Sequence, residues 1–138
     1  MKLIFSLKNT KEGIQKIADF FPQYKNFLFF GALGMGKTTL ISALYEYLSG
    51  KKSLLSSPTY GYTKKYPLPH GYFAHYDIFR LKKGASFPEL EDDFENPEVI
   101  TCVEWSENIS YTPEKSLKIY IKKLSNEDRE LTLVVPQQ

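Results

Sequence analysis

Three observations predict an α/β fold of three layers, with a mixed central sheet that ends in an antiparallel hairpin. Phe27-Leu28-Phe29-Phe30 is a short continuous apolar run, the pattern of a strand buried on both faces. A glycine-rich loop and an apolar-periodic helix follow it at once, so helices flank buried strands. Towards the end of the chain Leu117, Ile119 and Ile121 alternate with Lys118, Tyr120 and Lys122. Residues 131–135 are again extended, and residues 125–128 supply the turn between the two.

Size and composition agree with one folded unit over residues 1–138. A chain of this length buries about two-thirds of its unfolded surface, enough to fold without disulfides or a structural metal. The 42% hydrophobic, 25% charged and 15% aromatic shares exclude a disordered chain. A net charge of +2 gives no case for a nucleic-acid surface, and the lysine pairs Lys51-Lys52, Lys64-Lys65 and Lys122-Lys123 read as solvated faces. Direct contact with RNA is therefore not supported by the sequence. The single cysteine, Cys102, rules out an intramolecular disulfide and a multi-cysteine zinc site, and its apolar neighbours make it a buried thiol. No stretch reaches the ~20 apolar residues of a membrane span and no apolar signal core opens the chain, so the expected location is cytoplasmic.

Taken in order, residues 2–7 are expected to form a first strand. Asn9, with Glu12 three positions on, resembles a helix N-cap signature. Ile14, Ile17, Ala18 and Phe21 then fall on one helical face, closed by Pro22. After the strand at residues 27–30 and the glycine loop, Leu40, Ile41, Ala43, Leu44, Tyr47 and Leu48 mark a second helix that Gly50 stops. Residues 56–69 are punctuated by proline and read as irregular. Residues 71–81 predict a strand with Phe73, His75, Asp77 and Phe79 on one face and Tyr76, Ile78 and Arg80 on the other. Residues 82–98 predict a loop and a short acidic helix. Residues 99–104 predict a buried strand carrying Glu104 at its C-terminal end.

The loop from Gly31 to Thr38 matches G-x-x-x-x-G-K-[ST] in full. Glycines let the backbone wrap an anion closely enough for successive N–H groups to reach phosphate oxygens, and the following helix adds its positive dipole end. Lys37 supplies a point charge to the β- and γ-phosphates, and the Thr38 hydroxyl is placed to ligate Mg²⁺. The spacing gives the metal to Thr38 rather than to Thr39. Mg²⁺ on a nucleotide takes one or two protein carboxylates. Glu104 and Asp77 are the two candidates, and the residues leave open which binds metal and which orients water. Ser57-Pro58-Thr59-Tyr60 reads either as a turn or as a nucleotide-responsive segment in which Thr59 senses the γ-phosphate.

In this order and spacing G-x-L-G-x-G-K-T-T, S-P-T-Y, H-x-D-I-F-R and V-E-W resemble the TsaE family, across roughly residues 10–135. The resemblance implies a P-loop NTPase fold and a weak Mg-dependent ATPase. It implies a role in forming N6-threonylcarbamoyladenosine on tRNA, together with TsaD-like and TsaB-like subunits. ATP and Mg²⁺ are the implied cofactors. The implied nucleotide contacts are Leu33, Gly34, Met35, Gly36, Lys37, Thr38, Thr39 and Trp105, the last packing by the nucleotide or by a partner surface, with Thr38 and Glu104 near the metal. Asp77, Glu104 and Thr59 are the implied catalytic set. Phe79 stands where the family usually has Tyr, Tyr60 where Phe is commoner, and Ala32 where Asp is frequent. The two arginines, Arg80 and Arg129, lie where the family tends to keep arginine, in a chain with sixteen lysines. Such positions suit planar, forked hydrogen bonding.

Three other functions compete. A small P-loop kinase shields the transferring phosphoryl group beneath an arginine-bearing lid, and two arginines with no long insertion count against it. A GTPase would need N-K-x-D and D-x-x-G, and neither occurs. A nucleotide-gated binding module without significant turnover is separated from an ATPase by measuring hydrolysis with and without the partners.

Overall fold

The computed structural model describes residues 1–21, 23–32, 34–52 and 62–136. In chain order the elements are β1 (Lys2–Ser6), α1 (Lys11–Ala18), β2 (Asn26–Phe30), α2 (Lys37–Ser49), β3 (Thr63–Pro67), β4 (Tyr72–Asp77), α3 (Pro88–Glu95), β5 (Val99–Glu104), a 3-10 turn (Ser106–Asn108), β6 (Ser116–Lys123) and β7 (Asp128–Val134). The strands make one seven-stranded sheet in the order β1-β7-β6-β2-β5-β4-β3. Its centre is parallel, because β6, β2, β5 and β4 run the same way. Its two margins, β1-β7-β6 and β4-β3, are antiparallel.

The apolar run at Phe27–Phe29 is explained by its place. β2 lies between two parallel neighbours and is covered on both faces, so alternation would expose no side chain to water. The two faces carry separate cores. One joins Ile14 and Ile17 of α1 and Leu40, Ile41 and Leu44 of α2 to Phe27, Phe29, Phe73, Cys102, Leu117 and Leu131. The other joins Leu90 and Phe94 of α3 to Leu28, Ala74, Tyr76 and Val103. This is the three-layer P-loop NTPase arrangement expected from the sequence, with the β6–β7 hairpin at residues 124–127. Among the described residues no helix is long and apolar enough to cross a membrane.

The second face also carries a polar cluster. Tyr76 donates its hydroxyl to Asp93, and Lys65 of β3 reaches the same carboxylate at 3.2 Å, so β3, β4 and α3 meet at one buried charge.

Several expectations need correction. The strand expected over residues 71–81 stops at Asp77, whose side chain accepts from the Phe79 N–H at 3.2 Å and turns the chain away. Residues 63–67, read as irregular, form the edge strand β3, whose N–H groups need no partner on the outer side and so tolerate Pro67. α1 ends at Ala18, which leaves Phe21 exposed, and Pro22 lies outside the described residues. Thr10, not Asn9, is the N-cap of α1, although the Asn9 carboxamide accepts from Lys11 N at 3.3 Å. β7 begins at Asp128, three residues before the expected strand. Tyr47 is 56% exposed and does not join the core face of α2.

Candidate active site

The C-terminal ends of β2, β4 and β5 lie side by side. Parallel register sets Asp77 opposite Glu104, and Glu104 opposite Phe29. The chain leaves β2 at Phe30, runs through Gly31–Gly36 and enters α2 at Lys37, so the glycine loop crosses the crevice where ligands of open α/β sheets bind. Gly36 caps α2 with φ of 100°, in the left-handed region, and a Cβ there would lie 2.8 Å from Leu7 Cδ2. The left-handed backbone is what demands glycine, since the Leu7 side chain could shift aside. Gly50 ends the helix in the same conformation, its N–H donating to the Glu46 carbonyl at 2.9 Å.

Lys37 is only 4% exposed. Its Nζ donates to the Gly31 carbonyl at 2.6 Å and stands 3.7 Å from the centroid of the Trp105 ring. Burial pushes its pKa below the usual lysine value, and the carboxylates of Glu104, then Glu107 and Asp77, push it back up. The ammonium therefore sits among groups that keep it charged at a poorly hydrated place.

Thr38 opens the helix and donates its hydroxyl to Glu104 Oε1 at 3.1 Å and Oε2 at 3.0 Å. Glu104 is buried at the end of β5, and its Oε2 lies 2.6 Å from Nε2 of the fully buried His75. His75 reaches it because β4 and β5 are in register and both side chains leave the same face of the sheet. The result is one polar line, His75–Glu104–Thr38, from the sheet interior to the glycine loop. Asp77 is half-buried at the end of β4.

Trp105 follows Glu104 with φ of 63°, the only described residue other than glycine with positive φ. Such a backbone costs about 1–2 kcal/mol in a bulky residue. Contacts with Lys37 and with Phe79, whose ring centroid is 4.7 Å away, hold it there. Asn108 steadies the loop after β4 by donating to the Ile78 carbonyl at 3.0 Å.

A family model described as "Threonylcarbamoyl adenosine biosynthesis protein TsaE" matches residues 4–131. The chain belongs to the TsaE family. Curated relatives agree with the assignment. A tRNA threonylcarbamoyladenosine biosynthesis protein TsaE of Rickettsia bellii is 31% identical over 100 residues, covering 72% of this chain and 69% of that protein. Its namesake in Rickettsia typhi is 29% identical over 131 residues, covering 94% and 90%. The crystal structure of Bacillus subtilis YdiB matches with a TM-score of 0.66 at 25% identity, covering 99% of this chain and 87% of that one.

Of the residues picked out in the sequence as TsaE-like, the fold brings Lys37, Thr38, Glu104 and Trp105 into contact and sets Asp77 beside them. Gly34, Met35 and Gly36 lie in the loop, and Thr39 is exposed on the first turn of α2. Leu33 and Thr59 lie outside the described residues.

Two residues were given no place in the site by sequence reasoning. His75 opens the H-x-D-I-F-R motif and shares a strand face with Asp77, but it carried no role of its own because its partner arrives from another strand. Arg129 stood out as one of two arginines at positions suited to forked hydrogen bonding, with no partner named. It is 4% exposed and donates from Nε to the Met35 carbonyl, within the loop, at 2.9 Å.

Proposed function

We propose that this chain binds Mg-ATP in the glycine loop and hydrolyses it slowly, in the service of threonylcarbamoyladenosine formation on tRNA. Its working partners on this reading are TsaD-like and TsaB-like subunits. The observation that carries the reading is the contact of Thr38 with Glu104, which joins the first turn of the phosphate-loop helix to a buried carboxylate at a strand end.

The donor set fits a hard cation. Thr38 and Glu104 offer a hydroxyl and a carboxylate, the oxygen ligands that Mg²⁺ prefers. Among the described residues no cluster of three or more His, Cys, Asp or Glu could hold a metal alone. A cation at Thr38 and Glu104 would complete its shell from phosphate oxygens and water, the usual habit of Mg²⁺. Bound there, it would supply charge neutralisation to the phosphates of the nucleotide. Lys37 contributes a second positive charge, delivered by shifting from the Gly31 carbonyl and the Trp105 ring to phosphate oxygens. His75 fixes the carboxylate of Glu104, and Asp77, at the neighbouring strand end, orients the attacking water.

Modest nucleotide affinity is expected because Lys37 and Thr38 already have protein partners, which a nucleotide must displace. The same observation favours a second reading, a nucleotide-gated module that binds without significant hydrolysis. Calorimetry with Mg-ATP, followed by ATPase assays with and without the partner subunits, tests both. Heat from wild type and none from Lys37→Ala supports binding. A rate that rises with partners supports the ATPase, and a near-zero rate unchanged by them supports the module.

A further inference from the structure

We infer that Arg129 is a positioning residue of the phosphate loop, turning the Met35–Gly36 peptide so that the Gly36 N–H faces the bound phosphates. The inference rests on the proposed nucleotide reading and goes beyond it, to a residue on the distant hairpin.

Arg129 is a buried cation without a carboxylate partner among the described residues. A buried charge left unpaired is costly, so every donor it uses has consequence. Its Nη1 donates to three carbonyls of the β6–β7 hairpin turn: Ser125 at 2.8 Å, Asp128 at 3.0 Å and Asn126 at 3.4 Å. Those bonds alone would tie down the turn. The Nε bond to Met35 O does something different, since it joins positions 94 apart in sequence and ends in the glycine loop.

A trans peptide is planar, with its C=O and N–H pointing in opposite directions. Drawing the Met35 carbonyl towards Arg129 therefore turns the N–H of Gly36 away from the hairpin. That amide stands at the N-cap of α2, where the first N–H groups have no acceptor within the helix and serve anions. The same turn buttresses the loop a second time. Leu7 donates its N–H to the Glu127 carbonyl at 2.8 Å, and its side chain fills the space beside Gly36. The hairpin turn thus sets both the orientation and the outer wall of the loop. Lysine cannot replace Arg129 here, because a single ammonium lacks the planar fork that spans the loop carbonyl and the turn carbonyls.

The test uses the full-length chain with the variants Arg129→Lys and Arg129→Ala, and Mg-ATP as the probe. A cradle acts on ground and transition states alike, so KM should rise about 10- to 100-fold while kcat changes little. Arg129→Lys should show this with its circular dichroism intact, and methylguanidinium should restore nucleotide affinity to Arg129→Ala. Wild-type affinity in a folded Arg129→Lys protein overturns the inference while leaving the nucleotide reading standing. Absence of Mg-ATP binding by wild type overturns both. Were Arg129 only a fold pin, melting temperature would fall in both variants and KM in the folded fraction would not move.

Discussion

Thr38 and Glu104 are 66 residues apart, yet the Thr38 hydroxyl lies within 3.1 Å of both carboxylate oxygens of Glu104. The pairing follows from two independent requirements. The phosphate loop must deliver its hydroxyl at the first turn of α2, and the parallel register of β2 with β5 must end the second strand beside it. One amide at position 104 tests both at once. In Glu104→Gln the site keeps its shape but loses the anionic charge, so Mg-dependent hydrolysis should fall by at least about 100-fold. Nucleotide binding measured without magnesium should change little. Equal turnover in the variant would remove Glu104 from the metal.

His75 is the next residue out. Its Nδ1 has no hydrogen-bond partner among the described residues, so Nε2 is its one polar tie, and that tie goes to Glu104. Outer partners of metal-bound carboxylates typically carry about 10- to 100-fold in metal affinity or activity. His75→Phe should cost that much in apparent Mg²⁺ affinity, read from the magnesium dependence of the ATPase rate. A variant with the wild-type magnesium curve would reduce His75 to a packing residue.

How far these residues could be read from sequence depends on whether their partners leave a local signature. The apolar run of β2, the alternation of β6 and the apolar stretch of β5 ending in Glu104 are all periodicity, and each was legible. The end of β4 was not, because alternation continues through Ile78, Phe79 and Arg80. The strand is stopped by the Asp77 side chain capturing the Phe79 N–H, just past the last rung to β5, from Ile78 N to the Glu104 carbonyl. β3 escaped notice since an edge strand with Lys64, Lys65 and Pro67 has neither burial pattern nor apolar content. His75 and Arg129 were hidden for a third reason. Each partner is supplied by sheet register or by a main-chain carbonyl far along the chain, and neither follows a spacing rule.

The second core offers a prediction about stability alone. Tyr76 donates its hydroxyl to the buried Asp93, and burial, then that bond, pushes the phenol far above its ordinary pKa. Tyr76→Phe keeps the ring contacts but leaves Asp93 with fewer donors. It should lower the unfolding free energy by about 1–3 kcal/mol in a urea titration. Nucleotide affinity should be unchanged, since α3 and the cluster lie across the sheet from α2.

The lowered pKa of Lys37 makes a signed prediction. Burial is the larger influence, so the folded protein releases this proton at lower pH than the unfolded chain does. The cost of keeping Lys37 charged is fully present below its lowered pKa. It disappears as pH rises towards the ordinary value of 10.5. Without nucleotide, wild type should therefore gain melting temperature relative to Lys37→Met across that alkaline window. Affinity for Mg-ATP should move the other way and be lost, because a neutral amine no longer attracts phosphate. A stability gap independent of pH would show that the lysine is not titrating there.

Trp105 turns the same lysine into an optical signal. It is the only tryptophan in the chain, so emission at long wavelength reports one place. The Lys37 ammonium lies 3.7 Å from the ring centroid, close enough for a cation–π contact and for quenching to depend on where the charge sits. A triphosphate in the loop would draw that ammonium towards its oxygens, while the left-handed backbone at residue 105 and the Phe79 ring keep the indole in place. Titration with Mg-ATP should then change the emission in a saturable way. Lys37→Met should show a shifted starting intensity and no response. Phe79→Ala loosens the indole and should reduce the amplitude while leaving the midpoint near that of wild type. A saturable response of full size in Lys37→Met would mean that the ring senses something other than this charge, and the assigned movement of Lys37 would fail.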